Sequence, residues 1–279
     1  MEPNKQTVET KFKDLKKILH KMEKVLVAFS GGVDSTMLLK TARDVLGDNV
    51  MAVTAISAST PSHERRDAPI LAAGMGVKHL CVETHELNMP EFVENSAEKC
   101  YLCKKYRFGL LIEMARAKGF PWVADGGNSD DHQDYRPGLK AVAELGVRSP
   151  LSEAGLAKNE IRLLSEKLGL STWNKPAYAC LATRIPYGNP ITVEKLKQID
   201  DGETFIHTLG ITGQVRVRHY GDTARIEADP QGIEQLALNP LRDRVVAQFK
   251  KIGFHFITLD LGGYTMGSLN KDLNLTDKN

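Results

Sequence analysis

Over its first 125 residues the chain alternates between short continuous apolar runs and stretches with apolar residues at helical spacing. Phe12 to Leu19 has the helical period, Val25 to Phe29 is apolar throughout, and the segment from Asp34 to Gly47 is helical again. Val50 to Ile56, a helical segment from Pro61 to Gly74, and Val77 to Val82 repeat the alternation, as do Tyr101 to Ala117 and Trp122 to Ala124. A strand that is apolar on both faces needs cover on both, and strands separated by helices pair in parallel through helical crossovers. The pattern predicts an α/β domain on an open parallel sheet, spanning residues 1–172.

Thr172 to Pro190 (TWNKPAYACLATRIPYGNP) holds three prolines and a glycine with no clear period, and reads as a connecting segment. Beyond it, a helix from Val193 to Leu209, strands Val215 to His219 and Thr223 to Glu227, a helix from Leu241 to Ile252 and a strand from Phe254 to Leu259 predict a smaller C-terminal α+β domain over 173–279.

Composition removes several function classes. With 42% apolar and 26% charged residues the chain is neither disordered nor fibrous. Its charged amphipathic N-terminus has no apolar signal core, and no run is long enough to cross a bilayer, so a cytoplasmic protein with no membrane partner is expected. A net charge of +2 gives no overall attraction for nucleic acid, which is not expected as a partner. Four cysteines are too few for a secreted disulfide scaffold, which turns attention to metal binding or sulfur chemistry.

The first apolar strand runs into Ser30-Gly31-Gly32-Val33-Asp34-Ser35. In an open parallel sheet ligands bind at the carboxyl ends of strands, where this stretch lies. Glycines allow positive φ and close backbone approach, the following helix offers unpaired N–H groups to an anion, and two hydroxyls add donors. The stretch lacks the lysine of a GxxxxGK[ST] loop, and Asp34 is placed to hold Mg²⁺ against phosphates. Glycines for turn geometry with serines as caps are the simpler alternative. The order S-G-G-x-D-S after an apolar strand resembles the PP-loop of the ATP pyrophosphatases, a superfamily that includes NAD and GMP synthetases, asparagine synthetases and tRNA thiolases. That resemblance implies ATP cleavage between the α- and β-phosphates and adenylation of a substrate oxygen, with the loop holding the departing pyrophosphate.

Cys100 and Cys103 (EKCYLCKK) lie three apart at the start of a helix, so both thiols share one face, while Cys180 lies in the connecting segment. Such a pair suits two corners of a soft-metal or iron–sulfur site, and equally a redox dithiol or buried small hydrophobes. Cys81, in VKHLCVET, reads as a strand residue packed in the core.

Four further stretches, DGGNSDDHQDYRPGLK, TWNKPAYACLATRIPYG, VRVRHYGDTARIE and FITLDLGGY, resemble the LarE family of ATP-dependent sulfur transferases. The likeness runs from the SGGVDS loop almost to the C-terminus. It implies thiolation of pyridinium-3,5-dicarboxylate mononucleotide on the route to the nickel-pincer nucleotide cofactor of lactate racemase. The substrate carboxylate is adenylated, and sulfur arrives at the position of Cys180. Members with that cysteine alone sacrifice its sulfur, whereas others carry a [4Fe–4S] cluster on three cysteines and use external sulfide or another sulfur donor. Cys100 and Cys103 place this chain with the cluster-bearing members, and sacrifice of Cys180 is the alternative. A homo-oligomer, possibly a hexamer in the pattern of the family, is also implied.

The same resemblance sorts the remaining candidates. Ser30, Gly31, Gly32, Asp34, Ser35, Lys104, Asp125 and Arg136 are expected at ATP; Lys104 rests on its place at a helix start facing the same sheet edge, with a solvated helix lysine as the alternative, and Asp125, Asp134 and Arg136 lie in a polar loop where turn chemistry is the competing explanation. Thr183, Arg184, Arg216 and Arg218 are expected at the substrate phosphate, with Glu203 and Glu227 near them. Arg216 and Arg218 share one strand face, and an exposed polar face explains that alternation equally well. A tRNA thiolase would share the loop and the cysteines but calls for a basic surface. An ammonia-using amide ligase, with structural cysteines, and a nonenzymatic nucleotide sensor with a redox CxxC are the other competing readings.

Overall fold

The computed structural model describes residues 5–133, 137–176 and 179–265. The chain forms two compact units, one from residues 1–57, 63–85 and 100–178, the other from 58–62, 86–99 and 179–279. The elements in chain order are α1 (Lys5–Met22), β1 (Val25–Ala28), α2 (Val33–Leu46), β2 (Val50–Ile56), α3 (Ser62–Gly74), β3 (Lys78–Glu83), α4 (Pro90–Val93), α5 (Lys99–Ala117) and β4 (Trp122–Ala124). They continue with α6 (Pro137–Glu144), α7 (Pro150–Glu153), α8 (Lys158–Lys167), α9 (Val193–Thr208), β5 (Val215–Tyr220), β6 (Thr223–Ala228), α10 (Pro230–Ala237), α11 (Leu241–Ile252) and β7 (Phe256–Leu259).

In the first unit four strands, among the described residues, form a parallel sheet in the order β3-β2-β1-β4, with Val25 opposite both Val50 and Trp122. Because successive strand side chains face opposite ways, Val25, Val27, Val50 and Ala52 enter one core with α1, α2 and α8, where Leu15, Leu19, Leu38, Leu39, Ile161 and Leu164 meet them. Leu26, Met51 and Val53 face the other way, onto Phe108 and Leu111 of α5 and Val142 of α6. The apolar strands are thus covered on both sides, each large side chain contributing about 1.5–3 kcal/mol by leaving water. This is the open parallel α/β sheet expected from the resemblance to the PP-loop ATP pyrophosphatases.

One expectation fails in this unit. Cys81 is exposed, not packed in the core. It lies on β3, the edge strand, where only His79 and Val82 are even half-buried. The helices that seal the inner strands leave this edge open, so an apolar run that looks like an interior strand faces solvent.

The second unit holds a sheet ordered β5-β6-β7, with β5 and β6 antiparallel and β6 and β7 parallel. Ile206 of α9, Val217, Ile226, Phe249 of α11 and Phe254 form its core. Gly202 lets α9 close on α11, since a Cβ there would lie 3.0 Å from the ring of Phe249. α10 was not foreseen; Asp229 caps it through the Gly232 N–H at 2.7 Å, with Pro230 in its first turn. The segment read as a connector contributes a 3₁₀ turn, Leu181–Arg184, to the interior of this unit.

Candidate active site

β1 lies between β2 and β4: the chain runs from β1 through β2 to β3 on one side and then crosses back to β4 on the other, so the carboxyl end of β1 is a topological switch point. The SGGVDS loop leaves the sheet there. Gly31 takes φ +70°, where a side chain would be strained, and Gly32 precedes α2 without offering a side-chain cap to the first amides of the helix. Those amides and the positive end of the helix dipole suit a phosphate. The hydroxyls of Ser30 and Ser35 lie 3.1 Å apart, the Ser30 N–H donates to Ser35 Oγ at 3.3 Å, and Ser35 Oγ donates to the Gly32 carbonyl. Gly126, just after β4, presses on this loop: a Cβ there would lie 2.9 Å from the Ser35 nitrogen.

Asp34, in the first turn of α2, is mostly buried and pairs through Oδ2 with Lys158 Nζ at 2.5 Å. Its other oxygen, Oδ1, is buried with no hydrogen-bond partner. Burial raises its pKa, opposed by the charge and hydrogen bond of Lys158 and reinforced by Asp131. A buried carboxylate oxygen without a donor, beside a phosphate-shaped loop, fits a Mg²⁺ ligand. Lys175 fixes the loop from another side, donating to the Gly31 carbonyl at 3.2 Å.

Asp125 lies at the end of β4 and accepts from the Gly127 N–H at 3.0 Å and from Ser149 Oγ at 2.6 Å, so it shapes the turn beside the loop. Lys104 runs its stem against Gly138 of α6, where any Cβ would lie 2.6 Å from Lys104 Cδ. Asp134 and Arg136 lie outside the described residues. Cys100 and Cys103 occupy the first turn of α5, the former exposed and the latter half-buried; Cys180 is half-buried, and none of the cysteines is in a disulfide. Thiols one helical turn apart fit a soft-metal donor pair by their chemistry. Among the described residues no three His, Cys, Asp or Glu side chains are assembled as a metal site.

In the second unit Arg184, Arg216 and Arg218 are all buried, which removes the exposed polar face as an explanation for the β5 arginines. Arg184 pairs with Glu203 through Nε and Nη2 at 2.9 and 3.0 Å, while Nη1 donates to the carbonyls of Ala179 and Cys180 and to Thr183 Oγ1. Burial works against its charge, yet Glu203 holds the guanidinium above its ordinary pKa. Burial likewise opposes the Glu203 carboxylate, and Arg184 together with the Val217 N–H holds it below its ordinary value. Arg218 bonds Glu227 at 2.8 Å and the Thr183 carbonyl, and Arg225 takes the other oxygen of Glu227. The Arg216 guanidinium lies 5.0 Å from the ring centre of Tyr264, its pKa lowered by burial and then by the charge of Arg184.

A PP-loop domain family matches residues 4–131. An uncharacterized protein of Synechocystis sp. is 43% identical over 95% of this chain and 99% of its own length. The LarE-type pyridinium-3,5-bisthiocarboxylic acid mononucleotide synthase of Lactiplantibacillus plantarum is 39% identical over 96% of both chains. The chain belongs to the LarE family. A tRNA-specific 2-thiouridylase of Thermus thermophilus is similar over about half of each chain, 56% of this one and 53% of its own, at 28% identity.

As a LarE-family protein the chain is an enzyme of the adenylating sulfurtransferase type, and its PP-loop domain is an ATP·Mg²⁺ site. No helix among the described residues is long and apolar enough to cross a membrane. Sequence reasoning overlooked Lys158, Lys175 and Ser149. Lys158 opens α8 and has a legible local signal, a lysine before an Asn-Glu pair at a helix start, but its partner Asp34 is 124 residues away.

Proposed function

We propose that the enzyme adenylates a carboxylate of pyridinium-3,5-dicarboxylate mononucleotide and converts it to the thiocarboxylate used for the nickel-pincer nucleotide of lactate racemase, with sulfur delivered at Cys100, Cys103 and Cys180. The observation that carries the reading is the SGGVDS loop at the switch point, with the unpartnered Oδ1 of Asp34 in its first helical turn. A substrate carboxylate oxygen attacks the α-phosphorus of ATP, and the α–β bridging bond breaks with its electron pair leaving on pyrophosphate. The amides of α2 and the hydroxyls of Ser30 and Ser35 hold the pyrophosphate as charge builds on it. Asp34 would hold Mg²⁺ through its unpartnered Oδ1, with Lys158 shielding its other oxygen.

Sulfide then attacks the acyl carbon, and AMP leaves with the electron pair of the acyl–oxygen bond. A [4Fe–4S] cluster on three cysteine thiolates would leave one iron without a protein ligand, the place for that sulfide. Cys100 and Cys103 supply two thiolates from one helical turn, and Cys180 supplies the third. Lys104, Asp125 and Arg136 complete the ATP side, and Arg216 and Arg218 balance the substrate phosphate, with Glu227 orienting Arg218.

The test is anaerobic purification with iron and acid-labile sulfide assays for the wild type and for Cys100→Ala, Cys103→Ala and Cys180→Ala. Iron and sulfide in the wild type, lost in each variant, are the expected result. An iron-free wild type that loses sulfur mass at Cys180 after one turnover would overturn the cluster and establish sacrifice of that cysteine.

A further inference from the structure

The chain from Ala179 to Ile191 has the composition of a linker, yet Leu181, Ala182, Arg184 and Ile185 are each at most 1% exposed. Irregular backbone is seldom buried, because its polar groups need partners. Two devices supply them. At the far end Asn95, fully buried and at φ +58°, donates its side-chain amide to the carbonyls of Ile185, Pro186 and Asn189 at 3.2, 2.8 and 2.9 Å.

At the near end the carbonyl of Cys180 is held by three donors. The Thr183 N–H reaches it at 2.9 Å, the Thr183 hydroxyl at 2.7 Å and Arg184 Nη1 at 3.2 Å, while the adjoining Leu181 N–H donates to the Ser59 carbonyl at 2.9 Å. The peptide plane after Cys180 is thus held at both its oxygen and its nitrogen, and the Ala179 carbonyl before Cys180 is held by Arg184 Nη1 at 2.8 Å, so the backbone that carries the Cys180 side chain is restrained on both sides. Arg184 is itself immobilised, since Glu203 grips two of its nitrogens and is tied to the Val217 N–H of β5 at 3.0 Å. A guanidinium 1% exposed, with all three nitrogens engaged inside the protein, is a poor hand for a substrate phosphate.

We propose that Arg184, braced by Glu203, and Thr183 are positioning residues that fix the Cys180 thiolate where the sulfur-transfer step needs it, not ligands of the substrate phosphate. The proposal rests on the reading that sulfur is delivered at a site the Cys180 thiolate helps to form. Positioning at the sulfur leaves adenylation untouched, whereas phosphate binding precedes both steps. Misplacement of a reacting atom by an ångström costs on the order of 10²-fold in rate.

The experiment measures pyrophosphate release and thiocarboxylate formation side by side, anaerobically, with pyridinium-3,5-dicarboxylate mononucleotide, in wild type, Thr183→Val, Thr183→Ser, Arg184→Lys and Cys180→Ala. Thr183→Val and Arg184→Lys are expected to keep the wild-type pyrophosphate rate and the KM for MgATP and mononucleotide within about 2-fold, while thiocarboxylate formation falls about 10-fold or more. Thr183→Ser, which retains the hydroxyl, restores it. A raised mononucleotide KM in Arg184→Lys, with thiocarboxylate per pyrophosphate unchanged, would overturn the proposal and make Arg184 a phosphate ligand. Where Arg184→Lys fails to fold, the ratio in the Val and Ser variants at 183 decides alone. Wild-type thiocarboxylate formation by Cys180→Ala would instead reject the reading that sulfur is delivered at Cys180, whatever the ratio in the other variants.

Discussion

Gly126 is where the turn after β4 meets the nucleotide loop, and replacing it with alanine tests whether that contact shapes the site. The added methyl carbon would lie 2.9 Å from the Ser35 nitrogen and 3.3 Å from the Asp34 carbonyl carbon and Cβ. The first distance is roughly 0.6 Å short of the contact at which non-bonded heavy atoms attract most strongly. The atoms in the way are mostly backbone of the first turn of α2, so the turn must move as a body, and Ser35 Oγ moves with it, disturbing its contact with Ser30. Overpacking of this kind costs about 1–3 kcal/mol, and in a domain of this size each kcal/mol lowers Tm by about 2–4 °C. MgATP affinity should suffer more than stability, because the displaced atoms are the phosphate donors and Asp34. Thermal unfolding of Gly126→Ala with and without MgATP reads both effects: Tm falls, and the ligand-induced rise in Tm, which follows Kd by mass action, shrinks or vanishes. A variant with wild-type Tm and an undiminished MgATP-induced rise would refute the idea that this glycine sets the loop.

Two further outcomes follow from the ion pairs. In Lys158→Met the group that lowers the Asp34 pKa is gone while burial still raises it, so Asp34 protonates at higher pH than in the wild type. MgATP binding needs the carboxylate, so the acid limb of Kd against pH shifts upward; superimposable limbs would sink this account. The wild-type apo protein should, by the same raised pKa, draw stability from this group as pH falls through it. Glu203→Ala strands the buried Arg184 charge and should cost about 3–5 kcal/mol in denaturant unfolding at neutral pH. Because the Glu203 pKa is held low in the fold, its contribution is present above the unfolded carboxyl pKa and lost as pH falls through the folded value. A cost below about 1 kcal/mol at neutral pH would show that Arg184 finds other partners.

Elements whose cause is local were legible in the sequence. Val50–Ile56, Trp122–Ala124 and Leu241–Ile252 have the bounds their periodicity predicts, and the loop after β1 declares itself by its glycines and its place after an apolar strand. Cys81 was misread because periodicity reports how apolar a strand is, while strand order decides whether helices cover it. The segment around Cys180 looked like a linker because its order comes from Arg184, Glu203 and Asn95, partners 4 to 94 residues away that leave no period. The helix start at Lys158 was legible, but its pairing with Asp34, 124 residues away, was not, for the same reason.

The second unit is drawn from three separate stretches of chain, and this has a consequence during synthesis. The chain passes between the units five times, at 57/58, 62/63, 85/86, 99/100 and 178/179. Residues 86–99 therefore leave the ribosome long before the backbone they belong with: Asn95 waits for Asn189, 94 residues later. At usual elongation rates of about 5–20 residues per second that wait is roughly 5–20 s. For that interval Phe92, 2% exposed when folded, and the left-handed Asn95 have no home. The nascent nucleotide-binding half thus emerges with an unfinished strip of its neighbour in its middle, and a cell that makes this enzyme must shelter that strip until the loop bearing Cys180 arrives.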